Sequence, residues 1–372
     1  MISPITIFLC GDVMTGRGID QVLPHPSDPF IYEPYMKNAR GYVELAEKAT
    51  GLLPRPVDFA YIWGDALGEL GKAAPSARII NMETAITTSD EYVDKGINYR
   101  MNPANLPCIE AAGINCCCLA NNHVLDWGIQ GLLDTIDNLN RVHIKHAGAG
   151  RTVEEAQAPA LLDVAGGARL VIFSFGDRTS GIPLDWAATR ERPGMNLLKE
   201  LTLETIHQIG ERVKQVKRAG DVVVASLHWG RNWDFSISHE HRDFAHWLID
   251  QAGVDLIYGH SSHHVKGVEV YRKKLILYGC GDFLDDYEGI GGHEEFRGDL
   301  GLMYIVSIDP SMGVLLSLRM TPTQIRRYRV TRASGLDVHW LKRIMDREGR
   351  KLGSRVDLTA EDRLMLRWGD DS

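Results

Sequence analysis

Five apolar stretches of strand length each end in a side chain that can bind a metal or carry a proton. Ile5–Asp12 ends in Asp12, Ala77–Glu83 in Glu83, and Asn115–His123 in Asn122 and His123. Asp221–His228 ends in His228, and Asp255–His260 in His260, with His263 and His264 just beyond. Helical patterns separate these runs, and strands alternating with helices predict an α/β fold. In such folds ligands bind in the crevice outside the carboxyl ends of the strands. One polar residue at a strand end means little. Five, drawn from Asp, Glu, Asn and His, predict one convergent metal site.

The spacing predicts helices over Asp65–Lys72, Asn105–Ala112, Ile129–Val142, Thr202–Arg218, His239–Ala252 and Leu336–Gly349. In the third, Ile129, Leu132, Leu133, Ile136 and Leu139 form one apolar stripe. The proline-rich stretch Gln21–Ile62 reads as an irregular insert, either a binding loop or a surface excursion. In the last third the strands turn antiparallel. Val265–Tyr271 and Leu275–Tyr278 flank Arg272-Lys273-Lys274, and Leu302–Ile308 and Val314–Met320 flank a Pro/Gly turn. Lys351–Ser372 reads as a polar tail. The expected organisation is one domain over 1–310, with the insert at 21–62, and a C-terminal strand, helix and tail over 311–372 packed on it.

A net charge of −8 argues against an electrostatic nucleic-acid binder. No run approaches the roughly 20 apolar residues of a membrane span. Ile5–Leu9 lacks a basic flank, so no secretory signal is read and a cytoplasmic location is expected. None of the six cysteines forms a CxxC pair. Cys116–Cys118 are consecutive on a strand, so they alternate faces and cannot form a thiolate zinc site together.

Each motif has its own chemistry. In Gly11-Asp12-Val13-Met14-Thr15-Gly16-Arg17, the aspartate can bind a divalent cation, and a simple turn is the plainer reading. Glu83 follows an apolar strand, where burial costs several kcal/mol unless it is paired or metal-bound; it could equally stand on an exposed rim. In Ala120-Asn121-Asn122-His123-Val124-Leu125-Asp126, Asn122 offers an amide oxygen and His123 a proton-transfer group that Asp126 can orient. A capped helix start would explain the same residues. His260, His263 and His264 fall within five residues, a density seldom purely structural.

The ordered runs GDVMTGR, NMETAI, ANNHVLDWG, SLHWG, GHSSHHVKGVEVY and ILYGCGDF resemble the CapA (poly-γ-glutamate synthesis) family of the calcineurin-like metallophosphoesterase superfamily. The resemblance spans about residues 5 to 285. It implies a calcineurin-like four-layer α/β/β/α sandwich with mixed sheets and a centre holding one or two divalent ions. Mn, Fe, Zn, Mg and Ca all suit such ligands, and no organic cofactor is expected. The implied ligands are Asp12, Glu83, Asn122, His228 and His260, with His263 close by; His123 matches the acid/base histidine. Phosphoesterases usually carry a histidine at the position of Met14, so a full dinuclear site is not implied.

The chain also resembles a cytoplasmic branch containing the lasso-peptide epimerase. That implies a peptide substrate, inverted at Cα near its C-terminal carboxyl. The expected proton-transfer residues are His123, His293 and Asp12, and the expected substrate contacts are Arg100, Arg17 and Asp282. A CapA-type hydrolase of a phosphoester or γ-glutamyl amide, or a non-catalytic accessory of polymer synthesis, is the alternative.

Overall fold

The computed structural model describes residues 3–164 and 167–369. Two mixed β-sheets, of eleven and seven strands, stack face to face. The main path of the first sheet runs Asp282–Leu284, Asp12–Val13, Ala77–Met82, Ile5–Leu9, Leu300–Asp309, Val314–Ile325, Leu364–Trp368, Ser354–Leu358. Cys116–Cys118 pairs with Ala77–Met82 off this path. The second runs Leu197–Leu198, Arg169–Asp177, Asp221–His228, Leu256–His260, Lys274–Leu277, Val268–Tyr271.

Period-two alternation builds the layers. Ile5, Ile7 and Leu9 of the first sheet meet Leu170, Ile172, Val222, Val224 and Leu256 of the second in a core between the sheets. The opposite face of the first sheet, including Phe8, Ile80 and Met82, packs on helices Asp65–Ala73 and Gly128–Arg141 through Ala66, Leu70, Leu132 and Ile136. The outer face of the second sheet packs on helices Leu203–Val216 and His239–Asp250 through Ile206, Ile209, Phe244 and Leu248. The order is helix, sheet, sheet, helix, as the resemblance implied. Among the described residues no helix is long and apolar enough to cross a membrane.

Several sequence-based expectations change. The first strand stops at Leu9 and resumes as Asp12–Val13. The strand expected over Asn115–His123 is only Cys116–Cys118, and Asn122 and His123 lie in the turn beyond it. The insert is not wholly irregular: Arg40–Thr50 is a helix with Tyr42, Val43 and Ala46 buried. Its apolar stripe is those three side chains with Leu45 half-buried beside them, and flanking prolines hide so narrow a signal. The polar tail is instead a hairpin of Ser354–Leu358 and Leu364–Trp368. Its alternating Val356, Leu364 and Leu366 are buried against the core between the sheets.

Candidate metal centre

Five strand ends and turns converge on the crevice. His228 and His260 are direct neighbours in the parallel register of Asp221–His228 and Leu256–His260. Their Nδ1 atoms lie 2.8 Å apart. His228 Nε2 is 3.0 Å from Asn122 Oδ1, and His260 Nε2 is 2.7 Å from the Ser226 hydroxyl. Across from them stand the two carboxylates of the first sheet. Asp12 Oδ1 is 3.8 Å from His260 Nδ1, and Glu83 Oε1 is 3.8 Å from His228 Nε2. Asn81 joins the carboxylates, its amide donating to Asp12 at 2.8 Å and Glu83 at 3.1 Å.

His123 sits at the edge of this group. Its Nδ1 is 2.6 Å from Asp126 Oδ2, and its Nε2 is 3.9 Å from Glu83 Oε1. Lys95 donates to Asp126 at 2.7 Å and also reaches the Asn122 carbonyl. The Tyr99 ring meets the imidazole edge-on at 4.3 Å. His263 Nδ1 is 3.0 Å from both oxygens of Asp282.

Electrostatics favour neutral groups here. Burial raises the Asp12 carboxyl to about 7, with Asp282 adding to the shift. Glu83, Asp282 and Asp285 are likewise pushed up, chiefly by burial. Burial lowers His260 to about 3 and His228 well below its ordinary value. It lowers His123 to about 4, against the opposing pull of Asp126.

Asp12, His228 and His260 bring one donor atom each within 4.8 Å of one another. The donor chemistry fits a divalent ion. Several carboxyls are buried in excess of the local cations, and neutral imidazole nitrogens stand beside them. Oxygen and imidazole donors together suit the intermediate metals. Glu83 and Asn122 adjoin that triad through His228, whereas His263 faces Asp282.

The remaining predicted residues engage partners outside this group. Arg17 is buried and donates to Asp286 and, at 2.9 Å, to Glu33, with its guanidinium 3.9 Å from the Tyr42 ring centre. Arg100 donates to the Ser89 carbonyl at 2.7 Å and to Asp90 at 2.8 Å, and lies over Trp127. His293 is exposed and stacks on Trp233 at 4.3 Å; the same indole also meets His263 at 5.1 Å, Phe296 at 5.7 Å and His264 at 6.3 Å. Met14 is buried, and the Tyr287 hydroxyl points at its sulfur at 3.6 Å. Sequence reasoning missed Asn81, Lys95, Tyr99, Asp285 and Tyr287. Asn81 opens the run NMETAI, and Asp285 and Tyr287 just follow ILYGCGDF. Lys95 carries no sequence signal, since a loop places it, and Tyr99 stands in the run Asn98-Tyr99-Arg100-Met101-Asn102, where only Arg100 is read as a substrate contact.

Fold and site together define an α/β protein of two stacked mixed sheets with a buried carboxylate–imidazole centre. The chain belongs to the bacterial capsule synthesis protein family PGA_cap, whose model matches residues 6–287. A probable polyglutamine synthesis accessory protein of Mycobacterium tuberculosis is 46% identical over 363 residues, covering 97% of this chain and 95% of its own. The capsule biosynthesis protein CapA of Bacillus anthracis is 25% identical over 289 residues, 76% of this chain and 60% of its own. A phosphatase structure from Mycoplasma pneumoniae aligns with TM-score 0.47 and 10% identity over 91% of this chain and 98% of its own.

Proposed function

We propose that this protein is a divalent-metal-dependent enzyme acting on an anionic chain of peptide or γ-glutamyl bonds, with His123 moving the proton. The observation that carries this reading is the 2.6 Å contact between His123 Nδ1 and Asp126, with Nε2 left on the side of Glu83. Asp126 fixes the tautomer and Lys95 anchors Asp126, so Nε2 presents a lone pair. A neutral imidazole, held so by burial, can take a proton from water or from a carbon acid. In this reading Asp12, His228 and His260 hold the ion, and Glu83 and Asn122 flank it. Bound there, a divalent ion would act as a Lewis acid on a substrate carbonyl.

Amide hydrolysis is the preferred reaction. This reverses the order expected from the sequence: the relative at 46% identity is named a probable polyglutamine synthesis accessory protein, which supports a polymer of amide bonds as the substrate rather than a lasso peptide. Epimerisation at Cα is the second reading. Met14, in the position of the usual phosphoesterase histidine, and His293, one indole away from His263, favour it.

The test is incubation with Mn²⁺ or Zn²⁺ and γ-glutamyl or free-carboxyl peptides in heavy water. New amino termini identify hydrolysis, and Cα deuterium without cleavage identifies epimerisation. Metal binding with neither product would make the protein an accessory that only binds. Turnover unchanged in His123→Ala would sink the assigned role of His123.

A further inference from the structure

The strand carrying Asp12 does not run straight into it. Ile7 and Phe8 pair with Ala77 and Arg78, partners 70 positions apart. Asp12 and Val13 pair with Asn81 and Met82, partners 69 apart. The first strand therefore accommodates one extra residue between Phe8 and Asp12, a bulge in a parallel pair. Gly11 lies within it, and a Cβ there would meet the Gly281 carbonyl oxygen at 2.1 Å.

The bulge changes which way Asp12 faces. Phe8 and Cys10 face the helix layer, and unbroken alternation would send Asp12 there too. Val13 faces that layer instead. Asp12 turns to the second sheet, where the Ser261 N–H reaches Oδ2 at 3.1 Å.

A bulge also leaves ladder groups to be satisfied. Here they are the Cys10 carbonyl and the Asn81 amide, and one side chain of the other sheet serves both. The Tyr258 hydroxyl donates to Cys10 O at 2.6 Å and accepts from Asn81 N–H at 3.1 Å. Cys10, Asn81 and Tyr258 each stand two residues before Asp12, Glu83 and His260. One buried hydroxyl therefore ties the three strands one pleat beneath three groups of the centre.

We infer that Tyr258 is a positioning residue: its hydroxyl fills the bulge and holds Asp12 at its distance from His260 across the two sheets. This rests on the metal-centre reading above. Through backbone atoms alone, it sets where one carboxylate ligand meets the imidazole pair.

The experiment is Tyr258→Phe, which keeps the ring and removes the hydroxyl. Divalent affinity is measured by Mn²⁺ titration, and ligand geometry by the visible absorption of the Co²⁺-loaded protein. The variant is expected to bind the same number of ions about tenfold more weakly, the low end for loss of an outer-shell partner, with shifted Co²⁺ bands. Tyr278→Phe loses a comparable buried bond, to Glu269 at 2.6 Å, and should leave affinity and spectrum unchanged. A lower melting temperature in Tyr258→Phe with wild-type affinity and spectrum would make the hydroxyl a packing device and overturn the inference. Should Tyr258→Phe not fold, fluorotyrosine at 258 keeps a hydroxyl of altered acidity. Its Co²⁺ bands must then move, and unchanged bands overturn the inference. Failure of the wild-type protein to bind a divalent ion, or wild-type binding by His228→Ala, would instead bring down the metal-centre reading and this inference with it.

Discussion

His228 and His260 face each other through their Nδ1 atoms at 2.8 Å. One ring must carry a proton there and the other a lone pair. Asn122 Oδ1 can only accept, so His228 is protonated at Nε2 and accepts at Nδ1. His260 is then protonated at Nδ1 and accepts the Ser226 hydroxyl at Nε2. If His228 and His260 held a cation between them, this shared proton would have to leave the contact.

Metal content is the first thing to measure. Asp12→Ala and His228→Ala should each lower it while leaving the fold intact, because the cores are large without the ion. Chelation should abolish activity, and one divalent metal should restore it. Full occupancy in both variants would refute a shared site.

Aryl phosphates should turn over slowly or not at all. Met14 carries no nitrogen donor where phosphoesterases usually have one, and its sulfur is already faced by Tyr287. Robust metal-dependent phosphatase activity that disappears in His123→Ala would make phosphoester hydrolysis the true reaction.

His123→Ala should cut turnover of the true substrate by about 10²–10⁴-fold, the range for one general acid–base group. Asp126→Asn removes the charge that opposes burial at His123, so the imidazole should titrate even lower than in the wild type. An NMR titration of the ring that moves upward in Asp126→Asn would contradict the assigned role of Asp126.

His293→Ala separates the two readings of the reaction. If the enzyme epimerises, losing the second base should cost at least about a hundredfold, with metal content unchanged. If it hydrolyses, the rate should change little. A variant that washes solvent deuterium into one stereoisomer without converting it would mark a two-base enzyme lacking one base.

Glu69 makes stability depend on pH. Burial raises its carboxyl, but Lys72 and Arg363 outweigh that and hold it down to about 2. Its folded value lies below the ordinary 4.5, so the stabilisation is complete above that pH and is lost as pH falls towards 2. Arg363 lies in the turn of the C-terminal hairpin, 2.9 Å from Glu69 on helix Asp65–Ala73. Glu69→Gln should therefore melt earlier than the wild type at pH 7, and the gap should close in acid. A gap that is constant down to pH 2 would show that the charge is not what matters.

The strand ends were legible because apolar runs stopping at Asp, Glu or His are local patterns. Asp221–His228 has the expected bounds. What stayed hidden was non-local. That His228 and His260 are register partners follows from pairing between distant segments, which no spacing encodes. Tyr258 read as one more apolar strand residue, since its partners are backbone atoms of the other sheet. The 354–368 hairpin was missed because charged residues interrupt its short alternation.

The imidazole pair also has a built-in gauge. Asp221–His228 and Leu256–His260 are laddered from Val224↔Leu256 to His228↔His260. Neighbouring strands lie about 4.7–4.9 Å apart, so peptide hydrogen bonds set the span between the two rings before any ion arrives. Ions of different radius are then met more readily by turning the rings than by parting the laddered strands. A slip of one residue would turn a histidine out of the crevice, and the same ladder that measures the seat guards against that error.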